Sequence, residues 1–286
     1  MPLSRSVLTL ALKLALIPVL LGLGLGIWAF WIEPRQLVVK EYEIHLKDWP
    51  ADLAGFTIAF VTDPHVGSLH VDLAKLQRVV DRTNARTPDL ILMGGDYVVQ
   101  GGLGGRHVPS EQIIPILGQL KAKYGVYGIL GNHDWWDNGP RMKEQFAAHG
   151  IPMLENTSHQ LTLNGHPIWL VGVSDFSERR NNIEAAFAGV PANGPNLVLT
   201  HTPDILPELP DAATLTFAGH THGGQVYIPF LGRPVLPSNY GQRYALGHIT
   251  EGAKQLFVGS GIGTSLLPVR FLTPPEISLL KIYPAP

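Results

Sequence analysis

Leu215-Thr216-Phe217-Ala218-Gly219-His220-Thr221-His222-Gly223-Gly224-Gln225 is the stretch on which the reading of this chain turns. A short apolar run gives way at a glycine to two histidines two positions apart. At the end of an extended strand that spacing points both side chains to the same side. Neutral imidazole is the commonest metal ligand among side chains. Glycines on either side let the backbone crowd against an ion or a ligand. A Gly-rich turn with two surface histidines would have the same sequence, so the stretch alone leaves both readings open. How many other strand ends point to the same place decides between them.

The same grammar recurs upstream. Phe56–Val61 stops at Asp63-Pro64-His65, and residues 89–93 stop at Gly94-Gly95-Asp96. Residues 126–130 stop at Gly131-Asn132-His133-Asp134, and Asn196–Thr200 stops at His201. Short apolar, β-branched runs of this kind read as strands buried on both faces. Helical spacing separates several of them, over residues 71–80, from Ser110 onward, over 141–148 and over 181–188, and residues 279–282 read as a final strand. The alternation predicts an α/β fold with parallel strands at the centre of its sheet. In such sheets the ligand crevice lies outside the carboxyl ends of the strands. Asp63, His65, Asp96, Asn132, His133, His201, His220 and His222 are therefore delivered to one edge.

One Asp or His at a strand end is ordinary turn chemistry. Five strand ends that all finish in Asp, Asn or His are hard to explain that way. Together they supply two carboxylates, one amide oxygen and four or five imidazoles. That donor set suits Mn²⁺, Fe²⁺ or Zn²⁺ rather than Ca²⁺ or a thiophilic metal. It exceeds one tetrahedral ion and suffices for two divalent ions if a carboxylate bridges them.

Composition narrows the alternatives. The 286 residues have a formal net charge of −2 and no long Lys/Arg run, so no nucleic-acid partner is expected. The absence of cysteine excludes disulfides, thiolate nucleophiles and Cys-ligated zinc. Residues 14–32 contain no charged side chain, long enough at about 1.5 Å per residue to cross a bilayer core. Trp28 and Trp31 lie near the far end, where amphipathic rings favour the interface. No small-x-small cleavage site follows. Residues 1–33 are read as an uncleaved single-pass N-terminal membrane anchor, 34–50 as a polar linker with an edge strand near 37–44, and 51–286 as the domain. The α-amino group, Arg5 and Lys13 before the span, set against Arg35, Lys40 and Lys47 after it, give a balance that barely favours an N-terminus inside and an extracytoplasmic domain, with the cytoplasmic face as the alternative.

Taken in order, Asp63-x-His65, Gly95-Asp96, Gly131-Asn132-His133-Asp134, His201 and Gly219-His220-x-His222 resemble the calcineurin-like metallophosphoesterase family. The likeness covers residues 55–282. The anchor together with Gly-His-Thr-His-Gly-Gly-Gln looks like its bacterial membrane-associated branch. The resemblance implies a four-layer α/β/β/α sandwich of two sheets flanked by helices. It also implies a binuclear metal centre, with Asp63, His65, Asp96 and His222 on one ion and Asp96 (bridging), Asn132, His201 and His220 on the other. His133 would face the substrate, with Asp134 orienting it. Two departures stand out. Val99 occupies the position of the tyrosine that purple acid phosphatases use, and Pro64 replaces an aliphatic residue.

The function so implied is a membrane-anchored phosphodiesterase. A hydroxide bridging two ions attacks phosphorus while His133 assists the leaving group. Its substrate would be a phosphoester, derived from lipid or the cell envelope in view of the anchor. The alternatives are a pyrophosphatase of a lipid-linked nucleotide of the UDP-2,3-diacylglucosamine type, a phosphomonoesterase, and a non-catalytic metal-binding scaffold. The scaffold reading predicts eroded ligand positions, and all of them are filled. Ser174-Asp175 reads as a structural cap. His70, His107 and His149 read as surface residues. Arg233, Tyr240, Arg243 and Arg270 read as solvated loop residues, although an arginine there could clamp a phosphate.

Overall fold

The computed structural model describes residues 5–286, with side chains from residue 13 onward. In chain order its strands are β1 (Val38–Leu46), β2 (Phe56–Val61), β3 (Leu90–Met93), β4 (Val126–Gly128), β5 (Thr157–Leu163), β6 (His166–Val173), β7 (Asn196–Thr200), β8 (Leu215–Ala218), β9 (Gly247–Glu251), β10 (Lys254–Val258) and β11 (Glu276–Pro284). The helices are α1 (Arg5–Ile27), α2 (Leu73–Asn84), α3 (Ser110–Leu117), α4 (Asn132–Ala148) and α5 (Ile183–Ala186). One sheet has the order β1-β11-β2-β3-β4 and the other β5-β6-β7-β8-β10-β9. β2, β3 and β4 run parallel, as do β6, β7, β8 and β10. The strands expected to carry donors thus lie within the parallel part of the two sheets.

Alternation along each strand explains the continuous apolar runs. Ile58 and Phe60 point into a core between the sheets, shared with Leu199, Phe217 and Phe257 of the facing sheet. Phe60 and Phe217 pack with ring centroids 5.5 Å apart. Ala59 between them points the other way, into a second core with Leu76 and Val80 of α2, Ile113 of α3 and Phe146 of α4. Val171, Val198 and Val258 face a third core under α5 and the segment carrying Ile205 and Leu206. A strand covered on both faces has no side left for polar residues. The result is the α/β/β/α sandwich, in which truncating a central ring such as Phe60→Ala costs about 3–5 kcal/mol.

Some elements differ from the sequence-based expectation. The helix expected over 141–148 begins at Asn132, because Gly131 caps it and the Asp134 carboxylate accepts the Gly131 N–H at 2.9 Å. Its backbone breaks at Asn138, two residues before Pro140, and that break hid the first half. The helix expected over 181–188 is only the single turn Ile183–Ala186. β5, β9 and β10 were not anticipated. β5 and β9 lie at a sheet edge with one face exposed, so their sequences are mixed rather than apolar. Within the segment expected as a linker, β1 pairs residue for residue with β11, from Val38 with Glu276 to Leu46 with Pro284.

α1 continues through a π turn (Trp28–Ile32) and a 3-10 turn (Glu33–Arg35). The stretch Lys13–Arg35 is long and apolar enough to cross a membrane, with a mean hydropathy of 2.1. Its upper part stands free of the domain, but its foot is fastened to it. The buried Glu33 carboxylate accepts the Trp28 indole N–H at 2.6 Å and the backbone N–H groups of Leu272 and Thr273 at 3.0 and 2.6 Å. The Ala29 carbonyl accepts from Arg270 N at 2.9 Å. His70 Nε2 bonds the Phe30 carbonyl at 2.9 Å, and the buried Lys75 ammonium donates to the Pro34 carbonyl at 2.7 Å.

Candidate metal centre

Each strand end delivers its donor into one buried cluster. Asp96 Oδ2, after β3, lies 3.3 Å from His65 Nε2, after β2, and 3.3 Å from His201 Nε2, after β7. On the His65 side, His222 Nε2 is 3.0 Å from His65 Nε2 and 3.5 Å from Asp63 Oδ1. On the His201 side, His220 Nδ1 is 3.2 Å from His201 Nε2 and 3.1 Å from Asn132 Oδ1. Donors held about 2.0–2.2 Å from one ion sit roughly 3.0–3.5 Å from one another. The observed spacings match that geometry on both sides of Asp96.

The backbone is bent to achieve it. Asp63, His65, Asp96, His220 and His222 have φ values of 50, 41, 56, 69 and 52°, the left-handed region that L-residues avoid. Such strain costs on the order of 1–3 kcal/mol per residue and persists where the surroundings enforce it, characteristically at functional sites. Close approach demands the neighbouring glycines. A Cβ on Gly131 would lie 2.3 Å from Asp96 Oδ1, and one on Gly219 would lie 2.3 Å from Asp63 Oδ2.

The electrostatics of the cluster follow from this crowding. Burial alone would raise the Asp96 carboxyl, but the His201 and His65 imidazoles beside it hold it well below the usual carboxylate range. Burial would likewise lower His201, but Asp96 lifts it well above an ordinary imidazole. Burial pushes Asp63 up, and burial with His65 beside it holds His222 well down. The Nδ1 atoms of His65 and His222 are buried without a partner, while their Nε2 atoms face each other. Imidazole nitrogens and carboxylates crowded together in this way fit a cation between them. Among the described residues, Asp63–His65–His222 and Asp96–His201–His220 form groups that could hold a metal ion, and His133 joins His65 and Asp96 in a third.

His133 lies at the rim. Its backbone N–H donates to Asp96 Oδ1 at 2.9 Å, and its Nδ1 accepts from Gln100 N at 3.0 Å. Burial pushes its pKa down to about 4, so the ring is neutral at pH 7. With Nδ1 accepting, the proton sits on Nε2. The ring packs against His65 on one side and Trp136 on the other, at centroid distances of 4.6 and 4.7 Å.

Asp134 does not orient His133 as expected. Its carboxylate accepts backbone N–H groups from Asp96 at 2.7 Å, Tyr97 at 2.8 Å and Gly131 at 2.9 Å. It clamps the loop after β3 to the start of α4, and Gln100, which sequence reasoning missed, holds the His133 ring. Arg270 is neither solvated nor a phosphate clamp. It is fully buried, with its guanidinium donating to the carbonyls of Ser260, Gly261, Gly263 and Thr273. His70 is buried rather than on the surface, whereas His107 and His149 are exposed. Arg233 donates to Thr273 Oγ1, and Arg243 pairs with Glu251. Asp175 caps its own turn, accepting from Ser177 Oγ and from Glu178 N at 2.8 Å.

A two-sheet α/β sandwich with Asp, Asn and His donors gathered at its strand ends defines the class of metal-dependent phosphoesterases. The family model of calcineurin-like phosphoesterases matches residues 56–224, and the chain belongs to that family. Its relatives include the uncharacterised metallophosphoesterase YkuE of Bacillus subtilis, 30% identical over 91% of this chain and 90% of the relative. The phosphodiesterase YaeI of Escherichia coli is 30% identical over 80% of this chain and 83% of its own length. The UDP-2,3-diacylglucosamine pyrophosphatase LpxG of Chlamydia trachomatis is 25% identical over 89% of this chain and 92% of its own. The protein is therefore a metal-dependent phosphoric ester hydrolase.

Proposed function

We propose that this chain is a membrane-anchored phosphodiesterase that works with two divalent ions drawn from Mn, Fe and Zn. The observation that carries this reading is Asp96 Oδ2, equidistant from His65 and His201, each of which heads its own donor group. Asp63, His65, Asp96 and His222 would hold one ion, and Asp96, Asn132, His201 and His220 the other. Ions held there supply charge for the phosphoryl oxygens and lower the pKa of a nucleophilic water. His133, held by Gln100 N, presents Nε2–H to the leaving oxygen and stabilises the charge that develops on it. Asp134 keeps Asp96 and Asn132 at a fixed separation by clamping the backbone beside each.

The membrane reading rests on Lys13–Arg35 and on its foot. Cleavage before Glu33 would strip Arg270 N and His70 of their partners, the carbonyls of Ala29 and Phe30, which supports an uncleaved anchor. A second substrate reading has a specific observation behind it. The likeness to LpxG favours the pyrophosphate bond of a lipid-linked nucleotide, just as the likeness to YaeI favours a diester.

The test is a hydrolysis panel on the full chain in detergent with Mn²⁺, comparing a diester, a monoester and a nucleotide-diphospho-lipid. Metal content is measured on the same samples. Diester preference with two ions per chain is expected. Full activity after chelation would defeat the reading, and preference for the diphospho-lipid would transfer it to the second substrate.

A further inference from the structure

We propose that the domain face around the foot of α1 is a bilayer-docking surface, with apolar loops that enter the lipid and arginines that meet its phosphates. The inference rests on the reading of Lys13–Arg35 as an anchor and goes beyond it. A tether alone leaves the domain free to tumble, whereas a docking face fixes its orientation and the height of the metal centre above the lipid.

The segment over residues 264–273 organises this face. It is fastened to the helix foot at two points, Arg270 N to the Ala29 carbonyl and the Leu272 and Thr273 N–H groups to Glu33. It also gathers two other loops. Leu103 N donates to the Leu266 carbonyl at 2.8 Å, and Tyr227 N donates to the Phe271 carbonyl at 2.8 Å. Each of these loops ends in uncovered apolar side chains. Phe230 is 109% exposed at the tip of its loop beside Leu231 at 71%, while Leu266 is 74% and Leu103 65% exposed. Single exposed leucines need no explanation, but a set tied by backbone hydrogen bonds to one segment, and through it to a free-standing apolar helix, does.

Charge beside the patch identifies the occupant. A cavity of about 910 Å³ next to the helix foot is lined by Arg35, Arg78 and Arg106. None of the three has a carboxylate partner among the described residues, where the arginine ion pairs are Arg141–Glu111 and Arg243–Glu251. Asp72 lines the same cavity, but its carboxylate caps α2 by accepting from Lys75 N at 2.7 Å. Apolar side chains beside arginines without carboxylate partners, at the level where the anchor leaves the membrane, match acyl chains beside lipid phosphates. The same segment reaches the metal centre. Arg270 donates to the Gly263 carbonyl, and Gly263 N donates to the Asp63 carbonyl at 2.8 Å.

The absence of cysteine from the chain makes the test direct. Phe230→Cys, Leu266→Cys and Asp211→Cys are made in the full chain, each labelled with an environment-sensitive fluorophore and reconstituted into phosphatidylglycerol–phosphatidylethanolamine vesicles. Asp211, at the amino end of β8, is the control. Labels at 230 and 266 are expected to shift to the blue and to be quenched several-fold more by brominated lipid than the label at 211. The label at 211 should respond to aqueous iodide instead. Adding R78E and R106E should weaken the lipid quenching at 230 and 266. Vesicle-bound chain in which all three labels behave alike overturns the docking surface and leaves the anchor standing. Labels shielded from both quenchers would assign the face to a second copy or another protein, which also overturns it. Chain that fails to float with the vesicles defeats the anchor itself.

Discussion

The backbone N–H of Arg270 donates to the carbonyl of Ala29 at 2.9 Å, joining the last turns of the apolar N-terminal helix to the loop that also supports Asp63. The Arg270 guanidinium fills the space beneath, spending its donors on carbonyls of residues 260–273 rather than on any ligand.

Arg270→Met should therefore destabilise the protein by about 3 kcal/mol or more, because it leaves several buried carbonyls without donors. Chemical denaturation of the full chain in detergent measures this. A change below about 0.5 kcal/mol, the range of an ordinary surface substitution, would show that the buried cage carries no load.

Asp96→Asn and His133→Ala should separate binding from turnover. Loss of the shared carboxylate should remove metal from both donor groups, read by elemental analysis. His133→Ala should retain its metal while kcat falls by about 10²–10⁴, the usual worth of one acid–base group. Full metal content in Asp96→Asn would contradict the bridging role.

Asp134→Asn places an amide NH₂ where four backbone N–H groups converge. Its main effects should be a lower Tm and weaker metal retention, from misplaced loops rather than from a lost proton donor. A variant with unchanged Tm and metal content, and kcat reduced as far as in His133→Ala, would restore the expectation that Asp134 serves His133.

Lys75 offers a pH test away from the metal. Burial, with Arg270 and Arg78 nearby, lowers its pKa from 10.5 to about 7. The folded chain then binds fewer protons at Lys75 than the unfolded chain between those values, so this residue makes stability rise with pH across that window. Below about pH 7 the full cost of the buried ammonium is present. Lys75→Met should abolish this contribution, and the stability difference between the two proteins should change by a few kcal/mol from pH 7 to pH 10. A difference independent of pH would refute it.

Much of the centre was legible in the sequence because its donors sit directly after apolar strands, and a strand followed by Gly and then Asp, Asn or His is a local pattern. Asp63, His65, Asp96, Asn132, His133, His201, His220 and His222 all meet in one cluster. The roles of Asp134, Gln100 and Arg270 were not legible. Asp134 and Arg270 bind backbone groups and Gln100 acts through its own backbone N–H, none of which carries residue identity, and most of these groups lie in loops placed only by the fold. The edge strands β5 and β9 leave no apolar signature because a strand exposed on one face need not be apolar. What the sequence determined by itself was the α/β grammar, the donor set and the free apolar helix, since each depends on periodicity and side-chain chemistry within a short window. What only the tertiary structure decided was which carbonyls and amides hold those donors and where the helix foot docks, since hydrogen bonds between distant segments exist only once the two sheets have packed.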